Sequence, residues 1–172
     1  MSNQELVKRA IELSSREMQK WGFKTNALIW IRGGLGRRPQ MQINGQKNVL
    51  LHRREYWLIR VLILHAWSMA EVDAIPPNDG FLTMTELITK IHTQSILLQA
   101  AHANEIFWFN PDETEVRRVI NNLRGKMGGL GGQILENSRG SGYRLSAPAF
   151  NLWMNEAGDE DWDESCDVVD HA

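Results

Sequence analysis

A chain of 172 residues is long enough for one domain with a hydrophobic core and one appendage, and short for two full domains. Its 42% hydrophobic and 23% charged residues, with seven tryptophans, exclude a disordered or fibrous chain, and its longest apolar run, YWLIRVLILHAW, is interrupted by Arg60 and too short to span a bilayer. The net charge of -2 hides a segregation: residues 155–172 hold eight acidic groups and no Lys or Arg, leaving 19 basic against 13 acidic groups in residues 1–154.

A basic body with an acidic tail predicts an anionic partner for the body. A tail that only keeps the chain soluble has the same composition. The N-terminus has no apolar signal core, and the single Cys166 can form no internal disulfide. A cytoplasmic location is therefore expected. Glu164 and Asp167 beside Cys166 disfavour a reactive thiolate.

Residues 4–21 place Leu6, Ala10, Leu13, Glu17 and Trp21 at helical spacing, with Ile11 and Met18 beside them, which predicts an amphipathic helix packed on the body or on a partner. NALIWI then reads as a short strand. RGGLGRRP reads as a strand-connecting loop, because neither a GK[ST] motif nor a clear helix start follows to make it a phosphate cradle. MQINGQKNVLL predicts two strands around an Asn44-Gly45 turn. From Glu55 a helix apolar nearly all round, carrying Tyr56, Trp57, Ile59, Ile63 and Trp67, should lie at the centre of the core.

After AIPPNDG, the Thr83 and Glu86 pair forms a capping-box pattern that opens a helix through about Ile91. Residues 93–109 suit either a helix extension or a buried loop with a short strand. Asn110 and Pro111 then offer an N-cap and a first-turn proline for the helix EVRRVINNLRGKM. At 100° per residue, Val116, Val119, Ile120, Leu123 and Met127 share the core side. Thr114, Arg118, Asn121 and Gly125 then point outward, with Arg117 and Asn122 next to them and Arg124 and Lys126 at the margins. Arginine matches guanine edges, asparagine matches adenine edges, and flanking cations suit phosphates. An ordinary solvated helix face has the same residue types.

GGLGGQ reads as a flexible connection, followed by strands ILENS and GYRLSA around the turn RGSG. The turn carries Arg139 outward to a minor groove or a phosphate. Tyr143 anchors the hairpin on the core, and alternation turns Arg144 to the opposite face, where phosphate contact is expected.

VRRVINNLRGKM followed by ILENSRGSGYRL resembles the effector domain of OmpR/PhoB-type bacterial response regulators, and INGQKNVLLHRREYWLIRVLI and FLTMTELITKI resemble its upstream strand, hairpin and first two helices. The likeness covers about residues 27–148. It implies an α+β winged helix-turn-helix with a small N-terminal antiparallel sheet, a three-helix core and a C-terminal β-hairpin wing, to which this chain adds an N-terminal helix. Three segments are expected: a helix in 1–26, the winged-helix domain in 27–154, and an acidic, disordered tail in 155–172. The 26 residues before the resemblance are too few for a receiver domain.

The function expected from these features is sequence-specific binding of double-stranded DNA by a bacterial transcription regulator, associated with the nucleoid when bound. Its DNA contacts would be Thr114, Arg117, Arg118, Asn121, Asn122, Arg124, Lys126, Arg139 and Arg144, and the resemblance implies tandem binding as a dimer. The alternative is a winged helix that binds a protein partner through residues 93–109 or the acidic tail. A tail folding back on the basic helix is a third possibility. No catalytic residue, cofactor or metal is expected, since the five histidines show no ligand spacing and no nucleophile motif is present.

Overall fold

The computed structural model describes residues 2–71, 80–102, 109–156 and 168–170. Helix α1 (Asn3–Trp21) starts at a capping box in which Ser2 and Glu5 each bind the other's backbone N–H. Only its C-terminal half is docked: Ser14 Oγ donates to Asn151 Oδ1 at 3.2 Å, Ala149 N–H donates to Glu17 at 2.7 Å, and Trp21 is buried. Leu6, Val7 and Ile11 on the N-terminal half are exposed.

Strands β1 (Ile29–Arg32), β2 (Gln40–Ile43) and β3 (Asn48–Leu50) form an antiparallel ladder. Asn44 and Gly45 turn the chain between β2 and β3 with positive φ angles of 53° and 71°, and Gln46 N–H closes the turn on Ile43 O at 3.0 Å. Alternation puts Ile29, Ile31, Met41 and Ile43 into the core and Trp30 on the outer face.

The small antiparallel sheet expected in the N-terminal part is present as β1–β3, but it is the centre of a larger, mixed sheet. Two strands from the C-terminal part of the chain, β6 (Leu152–Asn155) and β7 (Val168–Asp170), pair in parallel with β1 and β3, giving the mixed order β6-β1-β2-β3-β7. The three-stranded ladder would otherwise leave unpaired backbone groups along both edges, and these strands satisfy them. Trp67 Nε1–H donates to Leu152 O at 3.1 Å and secures β6 to the helical layer. Of the segment expected to be an acidic tail, Glu156 is bonded by the buried Tyr56 hydroxyl at 2.7 Å and by Arg60. Residues 157–167 and 171–172, which include Cys166 and most of the expected acidic tail, lie outside the described residues.

Helix α2 (Arg53–Glu71) is the centre of the core, with Tyr56, Trp57, Leu58, Ile59, Val61, Leu62 and Ile63 all buried. Helices α3 (Met84–Ala101) and α4 (Glu113–Lys126) pack on it and on each other. The Thr83–Glu86 capping box is formed. The helix it opens runs ten residues beyond Ile91 to Ala101, because Leu, Gln and Ala favour continuation. Residues 103–108, including Ile106, Phe107 and Trp108, lie outside the described residues.

The expected Asn110 cap is also corrected: Asp112 caps α4, accepting from Glu115 N–H at 2.8 Å, so Pro111 precedes the helix instead of opening it. The glycine-rich connection is ordered as a 3-10 turn at Gly128–Leu130 and a short helix α5 (Gly131–Ile134). The chain then forms the hairpin of β4 (Leu135–Ser138) and β5 (Gly142–Leu145). The fold is thus mixed α+β, with five helices among the described residues. No helix among them is long and apolar enough to cross a membrane.

Candidate nucleic-acid interface

Helix α4 buries Val116, Val119, Ile120, Leu123 and Met127 against α2 and α3, the set that its periodicity predicts. That burial fixes its opposite face. Thr114, Arg117, Arg118, Asn121, Asn122 and Gly125 are all exposed. Arg117 forms an (i, i+4) ion pair with Glu113, and both side chains are open to solvent, so the pair is weak and exchangeable.

The two margins of α4 behave differently from its outer face. On one margin Arg124 reaches toward the hairpin, where its Nε–H and an Nη2–H donate to Leu135 O at 3.0 and 2.7 Å, and its guanidinium lies 5.9 Å from the Tyr143 ring centre. It positions the hairpin against the helix. On the other margin Lys126 turns inward, donating to Glu55 at 2.7 Å and to Leu50 O at 2.9 Å, with side chains 3% and 2% exposed. Lys126 is therefore removed from the expected contact set. A lysine stem at a helix margin can follow either surface, and here a buried carboxylate at the start of α2 draws the ammonium in.

The hairpin is anchored at its base. Tyr143 and Leu82 exchange backbone hydrogen bonds of 2.8 Å in both directions, so the segment before α3 pairs with β5. This close approach requires glycine next door: Gly142 has φ +110°, and a Cβ there would stand 1.9 Å from Leu82 O. The tip beyond it carries Arg139, which is exposed as expected.

Arg144 is the second correction to the contact set. Its side chain is 6% exposed and ion-paired with Glu136, which is 9% exposed, at 2.9 Å. It also donates to Trp21 O at 2.8 Å and Gly22 O at 3.1 Å, and lies near the Phe23 and Phe81 rings at 4.8 and 4.4 Å. Alternation does turn it away from Tyr143, but that face is covered by the end of α1. The guanidinium instead satisfies carbonyls at the α1 C-terminus, where a cation is favoured. Burial alone would raise the Glu136 pKa. Hydrogen bonds from Arg144 and Ser146, with the charges of Arg144 and Lys24, outweigh it and hold the carboxyl below its ordinary value.

The loop at residues 33–39 is a structural connection, as its sequence indicates. Its Gly33, Gly34 and Leu35 amides donate to Asn155, Arg37 and Glu156 carbonyls at 2.9, 2.9 and 3.2 Å. A Cβ on Gly34 would lie 2.3 Å from the Tyr56 ring, so the loop closes over that side chain. Burial and the neighbouring Glu156 carboxylate raise the Tyr56 pKa and keep its hydroxyl protonated. What sequence reasoning misses is that this fold-back carries Arg37 and Arg38 beside His52 and Arg53 at the start of α2. The two Arg-Arg pairs are visible in the sequence, but their meeting is tertiary.

Among the described residues no group of three or more His, Cys, Asp and Glu side chains is placed to hold a metal ion. Compared with known proteins, the chain matches no family model, no curated protein and no solved structure.

Proposed function

We propose that the protein is a winged-helix, sequence-specific binder of double-stranded DNA that acts in transcription regulation. Helix α4 reads the major groove, and the β4–β5 hairpin, as the wing, carries Arg139 to the adjoining minor groove. The observation that carries this reading is the outer face of α4. It presents Thr114, Arg118, Asn121 and Asn122 together, beside a hairpin whose tip is an exposed arginine. The hairpin's attachment to Leu82 ahead of α3 supports the winged-helix assignment, since it fixes the wing next to the helical core.

Arg118, Asn121 and Asn122 are the base readers, each contributing about 1–3 kcal/mol of discrimination. Arg117 and Arg139 meet phosphate or the minor groove. Arg124 acts indirectly, through the hairpin. Fluorescence anisotropy with duplexes selected from a random pool, at several salt concentrations, tests the reading. Binding that is absent, or that does not weaken with salt, refutes it.

A second reading, a module that binds a protein partner, is favoured by the exposed apolar residues Leu28, Trp30, Phe150 and Trp153 around β1 and β6. Charge reversal at Arg118 and Arg139 separates the two. It abolishes the regulatory effect if DNA binding carries it, and leaves it intact if a protein surface does.

A further inference from the structure

Helix α4 is held by cationic side chains at both margins of its last turn. At 100° per residue, Arg124 and Lys126 lie about 80° to either side of the centre of the buried stripe of Val116, Val119, Ile120, Leu123 and Met127. Arg124 donates twice to Leu135 O on the hairpin. Lys126 donates to Leu50 O at 2.9 Å and to Glu55 at 2.7 Å, at the junction of β3 and α2. Arg54 also meets Glu115 in the first turn, at 3.1 Å, but that pair is largely open to solvent and weak.

Stability is a poor account of the Lys126–Glu55 pair. Its side chains are 3% and 2% exposed. Glu55 Oε1 takes both the ammonium and the His52 N–H, while Oε2 is buried with no partner among the described residues. Desolvating two charges offsets most of their attraction, and uncharged side chains of similar volume often serve as well. What the pair adds is direction. The hydrophobic effect has none of its own, so burying the stripe selects a side of α4 without fixing its rotation, whereas a polar bond at each margin does fix it. A side-chain tip about 6 Å from the helix axis moves by about 2 Å for a turn of about 20°. That is enough to break a hydrogen bond to a base edge, which tolerates only a few tenths of an ångström.

We propose that the Lys126–Glu55 pair is a positioning device for base reading: with Arg124 on the other margin, it sets the rotation of α4 that points Arg118, Asn121 and Asn122 at base edges. The inference rests on the DNA-binding reading of α4, and adds to it two positioning residues that touch no DNA.

The test compares the full-length wild type with K126M and K126M/E55Q. Each is titrated by anisotropy against a duplex selected from a random pool and against a scrambled duplex, and each is unfolded in urea. K126M strands a buried carboxylate and lowers the unfolding midpoint. K126M/E55Q buries no charge at the site, keeps an oxygen for the His52 N–H and recovers most of that midpoint. Its affinity for the selected duplex nonetheless falls about tenfold or more, the loss of one base reader. Its affinity for the scrambled duplex stays within about twofold of wild type, because the exposed Arg117 and Arg139 still meet phosphates. Wild-type discrimination in the folded double variant overturns the proposal. Equal weakening on both duplexes overturns it too, since a lost rotation leaves phosphate contacts in place, and so does a double variant that fails to fold, which would make the pair purely structural. If wild type binds neither duplex, or both alike, the reading of α4 itself fails, and the positioning role fails with it.

Discussion

Replacing Arg144 with methionine separates a structural arginine from a ligand-binding one. The change leaves the 9% exposed Glu136 carboxylate without its 2.9 Å partner and frees the Trp21 and Gly22 carbonyls at the end of α1. Removing one member of a buried ion pair costs about 3–5 kcal/mol. Lys24 remains 3.5 Å from Glu136 but is half exposed, and methionine retains some packing against Phe23 and Phe81, so the lower end, about 3 kcal/mol, is expected. For a chain of this length that lowers the thermal midpoint by about 6–12 °C. Urea and thermal unfolding followed by circular dichroism measure the loss, and E136Q/R144M should cost less than the sum of its single changes. If R144M stays within about 0.5 kcal/mol of wild type while DNA binding loses salt dependence, the arginine faces outward and the buried assignment is wrong.

The reverse pattern is expected of Arg118→Ala and Arg139→Ala: stability within about 0.5 kcal/mol of wild type, and weaker duplex binding by anisotropy, with loss of base discrimination in the Arg118 variant. Gly142→Ala should lose more than about 2 kcal/mol, since it combines positive φ with a clash against Leu82 O; hydrogen exchange at Leu82 and Tyr143 would locate the damage. Stability should also fall at acidic pH through Glu136. Its folded pKa lies below the ordinary 4.5, so the unfolded chain takes up the proton first. The contribution is complete above that value and is lost as pH falls through it toward the folded pKa. Unfolding of E136Q across this range should show a flatter pH dependence.

The buried face of α4 was legible because five apolar residues at helical spacing leave little choice of side, and the outer face follows from them. The Thr83–Glu86 box and the Asn44-Gly45 turn were legible because both are local chemistry. Arg144 and Lys126 were not, since each is drawn inward by groups distant in sequence: Trp21 and Gly22 in one case, Glu55 in the other. One usable signal was present for Arg144. A tight turn at residues 139–141 sets Glu136 opposite Arg144 across the hairpin, an opposite-charge pair that favours mutual satisfaction over exposure. The cap moved from Asn110 to Asp112 because both residue types serve equally well there. The parallel edge strands were illegible for a different reason: LWMN and VVD are too short to show a period, and their partners lie far away in the chain.

Those edge strands also set an order of events during synthesis. β1, β2 and β3 leave the ribosome first, with both flanks of their ladder bare, and the strands that cover them are encoded in residues 152–170. At about 5–20 residues per second, the intervening hundred or so residues take roughly 5–20 s to emerge. Throughout that interval the nascent sheet has two open templates for pairing with another chain. Completion of the sheet is therefore a late event, and a ribosome that stalls before Leu152 would release a chain prone to self-association.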